Sequence, residues 1–128
     1  MNSSVHRIFK IIFLFSLVVG MGLTCFYPIP EYADNMWLQH IGTLLLLIPL
    51  LHDSIKNRLS LTAYVCLTCF TVLHIVGARY IYTYVPYQEW LSVLGVDPDF
   101  FATVMDFGVK SDHSNQYDRL VHFFFGVL

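Results

Sequence analysis

Three histidines, His40, His74 and His122, stand inside otherwise apolar stretches of this chain. An imidazole in such surroundings can move a proton, bind a metal ion or bond a neighbouring helix. Asp118 lies four residues before His122, on the same helical face, where its carboxylate can orient the ring. Arg79 and Arg119 are cations suited to a phosphate. Tyr80 and Tyr82 add phenols beside Gly77, a residue small enough to let a second helix approach closely. His74, His122 and Asp118 form the candidate catalytic group. His40, Gly77, Arg79, Tyr80, Tyr82 and Arg119 form the candidate binding group. A zinc site needs three or four ligands in fixed geometry. A His/Asp set of that size can be drawn, but no spacing makes it converge, so no metal ligand is assigned and no cofactor is expected. Each residue also has a structural reading. A membrane histidine can serve as interhelical glue, and Asp118 and Arg119 can act as helix cap and interface charges.

The elements that must carry these groups follow from hydropathy. Hydrophobic residues make up 56% of the 128-residue chain and charged residues 12%, about half the charge of an ordinary soluble domain. Residues 11–27, 36–52 and 59–83 are apolar runs, and Leu120–Leu128 begins a fourth. A bilayer core takes about 20 apolar residues of helix to cross. Backbone polar groups in lipid must be bonded within their own segment, so these runs predict helices; they lack the alternation of a membrane barrel. The expectation is an all-α, polytopic transmembrane bundle forming one module over residues 1–128. Its helices cover about 8–26, 36–52, 59–83 and 118–128: three full spans and a truncated fourth, the N-terminal portion of a longer protein. Pro86–Leu94, and the segment opened by Asp97 and Pro98, read as short interfacial helices within an external 84–117 segment.

Orientation comes from the basic residues. Arg7 and Lys10 flank the start of the first span, and Lys56 and Arg58 follow the second, on the same side; the 27–35 connection carries Glu31 and Asp34 but no lysine or arginine. The positive-inside rule then puts the N-terminus in the cytoplasm. In that frame His40 lies about 6 Å below the outer surface, His122 about 7 Å and His74 about 12 Å, at the helical rise per residue. The three imidazoles come from three helices and share one outer layer. His6, His52 and His113 fall outside the lipid and read as solvated.

Other classes are excluded or weak. A net charge of −2 gives no basic surface for nucleic acid. No nucleophile elbow, phosphate loop or H-E-x-x-H pair is present. Cys66 and Cys69 have redox spacing but lack the helix N-terminus or cation that would activate a thiol; with Cys25 they read as small buried hydrophobes. The basic start and apolar run of residues 6–27 resemble a signal peptide, yet no small-residue cleavage site follows, so an uncleaved first helix is expected.

Leu38–Leu47 (LQHIGTLLLL), Leu73–Leu91 (LHIVGARYIYTYVPYQEWL) and Tyr117–Gly126 (YDRLVHFFFG) resemble the YjdF-type family of bacterial inner-membrane proteins. Its pattern H-x-x-G-x-x-Y-x-Y-x-x-V-P, followed by Y-D-R-x-x-H-F-x-x-G, is matched at His74, Gly77, Tyr80, Tyr82, Pro86, Asp118, Arg119, His122, Phe123 and Gly126. The resemblance covers most of the chain from residue 36 onward. It implies a multi-pass inner-membrane location and further helices beyond the matched segment, and it supplies no reaction. The Asp118-to-Phe123 stretch is also similar to the D-K-x-x-H-F segment of VanZ-like membrane proteins, an analogy of fold level only.

Three functions are consistent with these features. The first is a site near the outer leaflet that binds or processes a lipid or lipid-linked headgroup, with membrane lipids as partners. The second is a structural or partner-binding membrane subunit whose polar groups only lock helices together. Proton- or ion-coupled transport comes third, because the midplane sites and repeats of transporters are not visible.

Overall fold

The computed structural model describes residues 3–97 and 116–127. Five α-helices are present among them: α1 (Ser3–Phe26), α2 (Ala33–Lys56), α3 (Leu61–Arg79), α4 (Tyr87–Val93) and α5 (Gln116–Val127). No strand occurs among the described residues. Helices α1, α2 and α3 each pack on the other two, and α5 packs on α3. The first three are long and apolar enough to cross a membrane. The fold is therefore the all-α transmembrane bundle that hydropathy predicts. From Pro98 onward, the helix expected to open at Asp97 and Pro98 lies outside the described residues, as does the rest of the 84–117 segment up to residue 115.

Two proline positions shape the first connection. α1 stops at Phe26, ahead of Pro28 and Pro30, neither of which can donate the next helical hydrogen bond. Ile29, held extended by the proline after it, leads into a 3-10 turn, Pro30–Tyr32, that runs directly into α2. Pro49 lies within α2; having no N–H, it cannot bond the Leu45 carbonyl one turn back.

The helix ends differ from the hydropathy reading in instructive ways. α2 continues past His52 to Lys56, because Asp53 and Ser54 are buried against the bundle rather than released into a loop. It closes on Asn57 in the left-handed region (φ 51°), whose N–H bonds the Asp53 carbonyl; Asn tolerates that conformation better than most residues. α3 begins at Leu61, capped by Ser60, whose hydroxyl accepts the Ala63 N–H at 3.1 Å.

The expected span to residue 83 is corrected at its far end: α3 stops at Arg79. The reason is a Schellman closure. The Tyr82 N–H bonds the Gly77 carbonyl at 2.6 Å and the Ile81 N–H bonds the Ala78 carbonyl at 3.5 Å. Ile81 (φ 53°) and Tyr82 (φ 55°) are both left-handed. Ile81 holds the position where glycine is usual, so neither glycine nor proline announces the stop.

Inside the bundle, Leu17, Leu50, Tyr64 and Ile75 form the core between α1, α2 and α3. A second small core, Val85, Tyr117 and Val121, seats α5 on the end of α3. Ile11, Phe15, Val18, Leu44, Leu45 and Ile48 face outward, as a lipid-facing surface requires. The cysteines are not buried as expected: Cys69 is exposed, Cys25 and Cys66 are half-buried, and all three are free. Their apolar character suits lipid as well as core.

Candidate functional site around His40 and His74

The site is built from three helices. Thr24 comes from the last turn of α1, His40 and Thr43 from the first half of α2, and His74 and Gly77 from the last turns of α3. His40 is 2% exposed. Its Nε2 is 2.9 Å from Thr24 Oγ1, and its Nδ1 is 3.1 Å from Thr43 Oγ1. The direction of these bonds can be deduced. Thr24 gives its only hydroxyl proton to the Met21 carbonyl, so it accepts from His40 Nε2–H. Nδ1 then accepts from Thr43. Both ring nitrogens of a neutral imidazole are thereby satisfied, and His40 ties α1 to α2.

His74 is half-buried and is held in a different manner. Its Nε2 lies 3.3 Å from the Gln39 carbonyl on α2. A carbonyl can only accept, so Nε2 carries the proton and Nδ1 presents a lone pair. The Tyr82 hydroxyl donates to that Nδ1. Two glycines make the arrangement possible. A Cβ on Gly42 would stand 2.9 Å from His74 Nε2, so its absence lets the ring lie against α2. A Cβ on Gly77 would stand 2.5 Å from the Tyr82 ring. The bare backbone there is what allows the chain to fold back and lay Tyr82 over α3.

Aromatic rings surround this pair. The rings of Tyr82 and Tyr117 are 6.2 Å apart, and the buried Tyr117 hydroxyl donates to the Leu73 carbonyl at 2.5 Å. Tyr80 meets Trp90 of α4 edge-on at 5.9 Å, with the Arg79 guanidinium 5.9 Å from the Tyr80 ring centre. Tyr32 and Tyr84 stack at 5.0 Å, joining the α1–α2 connection to the turn after α3.

The residues expected from sequence thus divide. His40, His74, Gly77 and Tyr82 occupy one layer where α1, α2 and α3 meet, since His74 bonds the residue preceding His40. Arg79 and Tyr80 lie just beyond, at the end of α3. On α5, Arg119 is half-buried and His122 is exposed; the Asp118 side chain lies outside the described ones. No group of three or more His, Cys, Asp or Glu side chains among the described residues is placed to hold a metal ion. Thr24, Thr43, Gly42 and Tyr117 went unrecognised. Thr43 was findable, three residues after His40 and so on its face.

A second polar centre lies at the opposite end. Lys10, with no exposed surface, donates to Asp53 Oδ2 at 2.7 Å, Asn57 Oδ1 at 2.8 Å and the Leu59 carbonyl at 2.7 Å. Asp53 Oδ1 accepts the backbone N–H groups of Arg58 and Leu59 at 2.9 and 2.7 Å. The Tyr64 ring lies 5.3 Å from the Lys10 ammonium, and its hydroxyl reaches the Lys10 carbonyl at 3.1 Å. Lys10 is therefore no free flanking charge: all three of its protons are used.

Three apolar helices of membrane length, with apolar side chains on their outward flanks, define a multi-pass membrane protein. The chain belongs to the family described as "Predicted membrane protein (DUF2238)", which matches residues 8–128 and is the YjdF-type family. No curated protein and no solved structure matches the chain.

Proposed function

We propose that this chain forms a site near the outer leaflet of a bacterial inner membrane, with its N-terminus in the cytoplasm, that binds or processes a lipid or lipid-linked headgroup. The observation that carries the reading is the His74–Tyr82 pair. A neutral imidazole offers a directed lone pair at the end of the bundle, and a phenol is delivered to it by a backbone turn built around Gly77. Such a pair can accept and return a proton. Arg79 and Arg119 would contact the phosphate, and Asp118 with His122 would complete the site from α5. The orientation is supported by Arg7, whose guanidinium bonds the Ile55 carbonyl at 2.6 Å and so joins Lys56 and Arg58 at one end, while Glu31 and Asp34 lie at the other.

The test is genetic and chemical together. In a deletion strain of the host, His74→Ala protein that inserts at wild-type level should reproduce the lipid profile of the deletion. A wild-type lipid profile from His74→Ala and His122→Ala alike would falsify the reading.

A structural or partner-binding subunit is the second reading, and His40 favours it. That imidazole is wholly consumed by Thr24 and Thr43. On this reading His40→Ala and His74→Ala both lower stability in detergent and leave every lipid unaffected.

A further inference from the structure

The hydrogen-bond directions around His74 say more than that a headgroup binds. Nε2 is committed as a donor to the Gln39 carbonyl, so in the neutral ring Nδ1 can be engaged only by a group that brings its own proton. A phosphate oxygen that is ionised brings none. A hydroxyl does, and the group now on Nδ1 is a hydroxyl, that of Tyr82. The phenol reaches it through a turn in which Ile81 and Tyr82 are both left-handed. For side chains bearing a Cβ that conformation costs about 1–2 kcal/mol per residue. The Tyr82 ring also fills the space over Gly77 where no side chain projects. Swinging Tyr82 outward would therefore relieve the backbone, bare the His74 lone pair and leave a ring-sized slot against Gly77.

We infer that Tyr82 is a built-in occupant of a hydroxyl-binding position on His74, and that the ligand which displaces it is a polyol-bearing lipid headgroup. The inference rests on the headgroup-site reading and sharpens it: the group recognised by His74 is a hydroxyl, with phosphate left to the arginines. The hydroxyl replaces the phenol one for one on Nδ1, so no protonation change is needed.

The experiment uses the full chain in nanodiscs, with binding read by native mass spectrometry. Two probes share an anionic phosphodiester and differ in hydroxyls: phosphatidylglycerol, which has two, and phosphatidylethanol, which has none. Wild-type protein should prefer phosphatidylglycerol. Tyr82→Phe keeps the ring and removes the competing hydroxyl, and should raise phosphatidylglycerol affinity by about two- to tenfold, the effect of one hydrogen bond, with phosphatidylethanol unchanged. His74→Ala should abolish the preference. Free glycerol 3-phosphate that matches phosphatidylglycerol would retain the hydroxyl rule with a soluble source.

Equal binding of the two lipids, both lost in His74→Ala, overturns the hydroxyl inference and leaves a phosphate-led headgroup site standing. Binding of both lipids that ignores His74 overturns the inference and the site reading together. Because His74→Ala can disturb packing, the Nδ1 and Nε2 nitrogen-15 shifts of wild-type His74 give a second measurement. A proton on Nδ1 in the neutral ring contradicts the inference outright.

Discussion

At the residue scale, the buried Lys10 and His40 are both fully engaged, one as a charge and one as a neutral ring. Lys10 and Asp53 are mutually saturated, so removing one partner strands the other. Asp53→Ala should lower stability by about 3–5 kcal/mol, read by denaturant titration in detergent, while Lys10→Met with Asp53→Leu should recover most of the loss. His40 is equally consumed but uncharged. Thr24→Val leaves its Nε2–H without an acceptor and should cost about 1–3 kcal/mol in the same titration. The sequence makes the histidines conspicuous because an imidazole in an apolar run is rare. It hides Lys10, since a lysine six residues before Ser16 and beside Arg7 looks like any interfacial flank. Its partner is 43 positions away in sequence, and a reading of local charge cannot pair residues across two helices.

At the element scale, the end of α3 is the feature hydropathy misjudges. Tyr80–Tyr84 carries no charge, so composition extends the span to residue 83. The stop is instead written in a contact between positions five apart, the Tyr82 ring against Gly77, together with two backbone bonds. A left-handed isoleucine in that closure is a standing strain. Ile81→Gly should therefore raise thermal stability, by about 1 kcal/mol once glycine's own entropy is set against the relief. Gly77→Ala should act oppositely, because a methyl group within 2.5 Å of the ring forces the turn apart. A melting series of the two variants in detergent checks both signs. By contrast, the start of α3 at Ser60 and the stop of α1 before Pro28 are local signals, and both are visible in the chain itself.

At the scale of the whole molecule, hydropathy suffices for the architecture: three helices of membrane length, joined by short connections, can only form a compact three-helix module. The convergence of His40 and His74 on one layer follows from the same arithmetic of helical rise. Lateral position does not. Depth along a helix can be counted from sequence, whereas the direction a side chain faces depends on how α5 docks, and there His122 is exposed while Tyr117 is buried. The topology carries its own prediction. With Lys10 neutralised by Asp53, Arg7, Lys56 and Arg58 are the uncancelled basic residues at that end. Replacing those three by glutamine should scramble insertion, and Lys10→Gln alone should not; cysteine labelling at positions 4 and 29 from either side of the membrane distinguishes the cases.

The buried ammonium of Lys10 sets a timetable for biogenesis. When α1 leaves the ribosome, the carboxylate that will neutralise it has not yet been synthesised, so the first helix enters the insertion machinery carrying a bare charge. Only after Asp53 and the turn at Asn57 emerge can that charge be housed. Partitioning of α1 into lipid should consequently lag until the second helix is complete, and nascent chains stalled short of Asp53 should remain crosslinkable to the insertase.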